Sequence, residues 1–227
     1  MDDIFSRSEA LLGSQAMENL RTKKVIIFGV GGVGSLAAEA LVRTGLTHLT
    51  MVDDDRVQES NINRQLPATT LTIGRPKVEV LRERLLTINP EAEIIAIQER
   101  YTPETALDFQ MDTFDYVIDA IDSVAEKTDL IIRASCVRGL KVFSSMGAAL
   151  RFDPTRVRVA ELFDIKGDAL AKAVRARMKR MDMRPYKKIR CVYSEEQAQR
   201  CETRGSLMQV TAVFGCTLAS LIIRDLL

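Results

Sequence analysis

Several short runs in this sequence combine residue types that could hold a nucleotide and its phosphates. Val25-Ile26-Ile27-Phe28 is an apolar, largely β-branched strand that enters the closely spaced glycines Gly29, Gly31, Gly32 and Gly34, the local pattern of a nucleotide-binding turn. In that pattern Gly29 allows the tight turn, Gly31 and Gly32 let the backbone approach a phosphate, and Gly34 lets the next helix pack on the strand. Asp53 lies 19 residues past Gly34 at the end of a second strand. A carboxylate there accepts hydrogen bonds from a ribose, the alternative being an ordinary loop acid in the run Asp53-Asp54-Asp55. The glycines and Asp53 suit a nicotinamide cofactor as well as ATP, so the residues that follow must separate the two. Asn61 and Arg64, in Ser60-Asn61-Ile62-Asn63-Arg64-Gln65, and Lys77, after Gly74-Arg75-Pro76, supply the donors a triphosphate needs and a dehydrogenase does not. Asp119 and Asp122, in Val117-Ile118-Asp119-Ala120-Ile121-Asp122-Ser123, fall at the carboxyl end of a strand, where open α/β sheets bind ligands. Asp122 is the expected Mg²⁺ ligand, through oxygen. Asp119 is expected to support it, or to cap the following helix.

Alternating strands and helices must position these residues. Strands are expected at Lys24–Phe28, Leu49–Val52, Glu93–Gln98, Tyr116–Ala120 and Lys141–Ser145, with helices at Gly34–Thr44, Lys77–Ile88 and Ala125–Arg138. That order predicts an α/β fold, a doubly wound, mostly parallel Rossmann-like sheet. Residues 4–20 carry helical spacing broken at Gly13-Ser14, where Ser14 can cap a second helix. Beyond Gly147, Leu150–Phe152 and Arg156–Glu161 read as antiparallel strands around the turn Asp153-Pro154-Thr155. A basic insertion and an apolar helix follow. The expected organisation is one domain over residues 1–227: N-terminal helices (1–22), a nucleotide-binding core (23–147) and an extension (148–227).

A chain of 227 residues that is 46% hydrophobic is long enough to bury such a core. With a net charge of +1, any nucleic-acid contact must come from local clustering. The four cysteines, Cys136, Cys191, Cys201 and Cys216, form no CxxC pair. With the acidic start Met1-Asp2-Asp3 giving no signal-peptide pattern, they are expected to be reduced thiols in the cytoplasm. Leu207–Ile223 is mostly apolar but short for a span and contains Gln209 and Gly215. A buried core or dimer helix, without stable membrane insertion, is the expectation.

Taken in order, GVGGVG, Asp53, SNINRQ, GRPK and DAID resemble the adenylation core of the ubiquitin-activating superfamily and its bacterial sulfur-carrier adenylyltransferases. The resemblance implies ATP with Mg²⁺, attack of a carboxylate on the α-phosphate and release of pyrophosphate. It also implies that Asn61, Arg64 and Lys77 bind phosphates, that Asp122 holds the metal, and that Arg7 is the arginine such homodimers insert into the partner's ATP site. Asp55, Gln65 and Ser123, in the same runs, count as further nucleotide-binding positions. Ala148–Thr155, Gly167–Arg175 and Cys191–Glu196 are similar to the tRNA threonylcarbamoyladenosine dehydratases. That family activates the carboxylate of a threonylcarbamoyl group on a tRNA adenosine, whose ureido group then closes a ring and expels AMP. Ring closure from within the substrate needs no acyl-carrying cysteine. A role for Cys191 or Cys201 is not expected.

Between Lys172 and Arg190 the chain holds nine Lys or Arg residues against one acid, Asp182. Lys172, Arg175, Lys179, Arg184, Lys187, Lys188 and Arg190 are the expected tRNA-phosphate ligands, with Tyr186 available to stack on a base. The single histidine, His48, is expected at a strand edge. The competing readings are a sulfur-carrier adenylyltransferase, an NAD-dependent oxidoreductase, and a non-catalytic partner of a cysteine desulfurase or other sulfur acceptor.

Overall fold

The computed structural model describes residues 4–203 and 205–227; the acidic start Met1-Asp2-Asp3 lies outside the described residues. The strands β1 (Lys24–Phe28), β2 (His48–Val52), β3 (Glu93–Ile97), β4 (Tyr116–Asp119), β5 (Lys141–Ser145), β6 (Val157–Glu161) and β7 (Arg190–Ser194) form one seven-stranded sheet, ordered β3-β2-β1-β4-β5-β7-β6. Every pair is parallel except β6 with β7. The helices are α1 (Ser6–Leu12), α2 (Ser14–Arg21), α3 (Gly34–Thr44), α4 (Lys77–Ile88), α5 (Val124–Cys136), α6 (Ala169–Arg180) and α7 (Met208–Asp225).

The sheet is covered on both faces, and its strands show why. Along β1, Val25 and Ile27 join one apolar cluster while Ile26 and Phe28 join the other, the two-residue alternation of a strand with no solvent-facing side. The first cluster takes Leu41 of α3, Leu81 of α4 and Phe214 and Leu218 of α7; the second takes Leu130 and Ile131 of α5 and Val174 and Met178 of α6. Each large side chain so buried stabilises the fold by roughly 1.5–3 kcal/mol relative to exposure.

The parallel core follows the sequence expectation, and three details differ. Leu150–Phe152 is not a strand: β6 instead pairs with β7 across Val157↔Ser194 and Glu161↔Arg190, and Asp153-Pro154-Thr155 opens a short 3₁₀ turn. Ser14 begins α2 rather than capping it, since Gly13 stands at the cap with no side-chain bond. The basic stretch is no surface insertion, because Ala171, Val174 and Met178 bury α6 within the second layer.

The helix α7 is long and apolar enough by composition to cross a membrane. Here it packs on α3, where a Cβ at Gly215 would stand 2.5 Å from the Val33 carbonyl oxygen. That close approach explains the glycine: any side chain would force the two helices apart.

Candidate active site

The strand order reverses between β1 and β4, and the chain leaves both at their carboxyl ends there, the place where an open α/β sheet binds its ligand. A cavity of about 760 Å³ opens at this point. Gly29, Gly31, Gly32, Asp53, Asp55, Asn61, Arg64, Gln65, Lys77, Asp122 and Ser123 all line it.

The glycine loop forms the floor. Gly29 has φ +87°, and a Cβ there would lie 2.8 Å from the Ala120 carbonyl oxygen, so the turn requires glycine. Gly34 does not line the cavity; a Cβ on it would fall 1.8 Å from the Gly29 carbonyl oxygen. Its role is the close contact between α3 and β1, and the helix so placed starts at the loop, where its N-terminus favours an anion.

On the β2 side, Asp53 accepts hydrogen bonds from the Val30 N–H at 2.7 Å and the Asp55 N–H at 2.9 Å. Asp53 therefore braces the glycine loop as well as lining the cavity. Burial pushes its carboxyl above the ordinary value, against the pull of Lys77 and the two backbone donors. Lys77 is 5% exposed, and its Nζ reaches Asp55 Oδ2 at 2.6 Å. Arg64 donates through Nη1 to the Ser60 carbonyl and to Asn63 Oδ1, both at 2.8 Å. The Asn61 side chain accepts from the Gln58 N–H, which fixes it at the end of a 3₁₀ turn. Gln65 is buried, its Oε1 unpartnered among the described residues.

The two aspartates after β4 separate sharply. Asp122 is exposed on the cavity wall, and among the described residues it has no hydrogen-bond or ion-pair partner. Asp119 is fully buried and does not line the cavity, which corrects its expected place among the nucleotide ligands. Its Oδ2 takes Lys127 Nζ at 2.6 Å and Ser144 Oγ at 2.6 Å, while its Oδ1 takes the Ile121 N–H at 3.1 Å. Nor does it cap α5, whose cap position is Ser123. Asp119 is the footing of the loop that carries Asp122.

Arg7 sits exposed on α1 and does not line the cavity of its own chain. Among the basic residues, Lys187 is corrected: its Nζ donates to the Val137 and Leu140 carbonyls, and burial pulls its ammonium below the usual lysine value. Arg175 is likewise committed, donating to the Leu162 carbonyl at 2.7 Å. Lys172, Lys179 and Lys188 are exposed, Arg184 lies over the Phe163 ring and Arg190 over the Phe143 ring. Tyr186 is 85% exposed beside them. His48 pairs with Glu93 at the sheet edge, away from the cavity.

Further lining residues had not been singled out from the sequence, among them Glu99, Arg100, Tyr101 and Glu126, and Arg151 stood only within a run of resemblance. Tyr101 donates to Asp129, and burial drives its hydroxyl far above the usual tyrosine value. Asp168, cited above only within a run of resemblance, caps α6 through the Ala171 N–H, a cap that Asp followed by a helix-forming run does signal.

The ThiF family profile matches residues 5–227. The tRNA threonylcarbamoyladenosine dehydratase of Bacillus subtilis is 41% identical over 192 residues, covering 85% of this chain and 74% of that protein. That of Haemophilus influenzae is 36% identical over 233 residues, covering 93% and 88%. The solved E. coli tRNA N6-threonylcarbamoyladenosine dehydratase in complex with ATP is similar with a TM-score of 0.90 at 34% identity, over 98% of this chain and 93% of that one.

Proposed function

The chain belongs to the ThiF family, and from that premise we propose that it is an ATP-dependent tRNA threonylcarbamoyladenosine dehydratase. The observation that carries the reading is the convergence, at one switch-point cavity, of a bare glycine floor, the cations Arg64 and Lys77, and the unpartnered carboxylate of Asp122. In this reading ATP lies over Gly31 and Gly32, with Asp53 and Asp55 toward the ribose. Asn61, Arg64, Gln65 and Lys77 face the phosphates, and Ser123 stands beside Asp122. The donor set fits Mg²⁺: Asp122 offers free carboxylate oxygen, whereas Asp119 is consumed by Lys127 and Ser144. Bound there, Mg²⁺ would offset phosphate charge.

The residues then divide the chemistry. The substrate carboxylate attacks the α-phosphorus, and pyrophosphate leaves with its charge offset by Lys77 and Arg64. The acyl-adenylate is an electrophile that the free carboxylate is not. Attack by the ureido nitrogen of the same side chain closes the ring and expels AMP, gaining the effective molarity of an intramolecular step. Cys191 takes no part in this reading: it is fully buried, and burial raises its thiol well above the usual range. Arg7 would act from a partner copy in a homodimer, which sedimentation equilibrium reads directly. The free thiols and a tRNA substrate support a cytoplasmic reading.

Mass spectrometry of nucleosides from threonylcarbamoylated tRNA, incubated with the protein, ATP and Mg²⁺, tests the reading. Loss of one water from the modified nucleoside, dependent on ATP, is expected. An unchanged mass with intact ATP binding would move the assignment to a protein carboxylate, that of a small sulfur carrier with or without a desulfurase partner.

The exposed cations make a separate prediction. Neutralising Lys172, Lys179 and Lys188 together should reduce the slope of log affinity for tRNA against log salt by about one per lost phosphate contact. Lys187→Met should instead lower thermal stability, because its ammonium holds the Val137 and Leu140 carbonyls. A salt slope unchanged by the triple variant would leave this surface without a part in tRNA binding.

A further inference from the structure

The cavity has a second wall that the nucleotide assignment does not use. It is built from the chain after β5, where Gly147 to Arg151 meet Asp168 at the start of α6. Arg151 is 3% exposed and lines the cavity. Its Nε donates to the Gly147 carbonyl at 2.9 Å and its Nη2 to Asp168 Oδ2 at 3.0 Å, but its Nη1 is buried without a partner among the described residues. A buried guanidinium donor left unpaired is unfavourable and calls for an acceptor.

The surroundings hold that donor in place. Leu150, the residue before it, adopts φ +62°, a left-handed backbone that a leucine takes only when its surroundings impose it. Both peptide groups of Leu150 are clamped, its N–H on the Gly205 carbonyl at 2.9 Å and its carbonyl on the Gln199 N–H at 2.8 Å. Asp168 is already engaged, since its Oδ2 also accepts from the Gly147 N–H and its Oδ1 from the Ala171 N–H. Its charge is thus shared with the N-terminus of α6, which leaves part of the Arg151 charge uncompensated.

The two walls come from opposite sides of the switch point. Asp53, Asp55 and the Asn61–Gln65 loop follow β2, whereas Arg151 follows β5, with the glycine loop after β1 between them. A guanidinium offers donors only and does not give up its proton in a protein, so its ligand is an acceptor, and an anionic one binds best. We infer that Arg151 Nη1 binds the reacting carboxylate of the substrate and so selects an acid at the end of the cavity opposite the phosphate cations. This rests on the dehydratase reading above. One carboxylate oxygen rests on Arg151 while the other forms its bond to the α-phosphorus and the bond to pyrophosphate breaks; Arg151 gives and takes no proton.

The test compares binding of an anticodon stem–loop RNA bearing N6-threonylcarbamoyladenosine with the same RNA carrying the methyl ester of that group. The wild-type protein should bind the acid about tenfold more tightly than the ester, the scale of one hydrogen bond to a charged group. Arg151→Lys, which keeps a cation beside Asp168, and the double variant Arg151→Gln with Asp168→Asn, which removes both charges, should each bring that preference to within about twofold. ATP affinity should be unchanged in both, and KM for the RNA should rise more than kcat falls. A wild-type protein with no acid preference, or variants that retain it, would overturn the assignment of Arg151. A wild-type protein that prefers the acid yet forms no cyclic nucleoside would overturn the dehydratase reading and leave a carboxylate-binding arginine of another reaction.

Discussion

Lys77→Ala should lower the rate of ATP-dependent adenylation by about 10²–10³-fold, the loss seen when one preorganised electrostatic donor is removed from a reacting centre. The geometry argues that this loss is chemical and not structural. Lys77 reaches the cavity from the first turn of α4, and among the described residues its side-chain hydrogen-bond partner is Asp55, which is 63% exposed. Removing the ammonium leaves Asp55 to water, while Asp53, on which the same ammonium pulls, keeps its two backbone donors. Loss of the Lys77–Asp55 pair itself should cost no more than about 1 kcal/mol of stability, the range of a partly exposed pair. Affinity for tRNA should stay within about twofold, since the proposed phosphate contacts to the RNA are assigned to other lysines. Release of pyrophosphate, followed in the same preparation as tRNA binding, separates these effects. Full adenylation activity in Lys77→Ala would remove the lysine from the phosphate site.

The nucleotide end of this site was legible in the sequence because its parts are local. A strand running into glycines fixes the loop, and the 1.8 Å approach that a Cβ at Gly34 would make to Gly29 shows how little else the motif tolerates. Strand and helix limits in the parallel core follow from apolar patterning that each segment carries by itself. What failed to show depends on distant partners. The strand β7 joins the sheet beside β5 although β6 and α6 lie between them in sequence, so nothing near Arg156–Glu161 announces that its neighbour is Arg190–Ser194. Leu150–Phe152 looks extended by composition, yet the left-handed Leu150 turns the chain toward Gly205 and Gln199. Charge counting misled for the same reason. It sees nine cations in the basic stretch, but not that Lys187 and Arg175 are spent on backbone carbonyls from other elements. Arg151 was invisible as a ligand because its meaning lies in the one donor its neighbours leave unused.

Lys127→Met should cost about 3–5 kcal/mol of stability, the penalty for leaving one member of a buried ion pair alone. Both partners are fully buried, and the pair spans from the last residue of β4 to α5. Methionine nearly fills the lysine's volume, so the cavity contribution is small and the loss measures the stranded charge. For a domain of this size that loss lowers Tm by roughly 2–4 °C per kcal/mol. Ser144 and the Ile121 N–H remain as partners of Asp119, but neither supplies a positive charge. Adding Asp119→Asn removes that charge while keeping an oxygen for the Ile121 N–H, and should recover most of the stability, because replacing both members of a buried pair is often close to neutral. The same comparison separates the two aspartates after β4. If Asp119 is only the footing of the loop, the double variant should regain activity together with stability, while Asp122→Ala should lose activity at unchanged stability. Denaturation midpoints measured beside ATP turnover decide it: a Lys127→Met loss below about 1 kcal/mol would refute the charge-pair account. A stable double variant without activity would show that Asp119 serves the reaction and not just the loop.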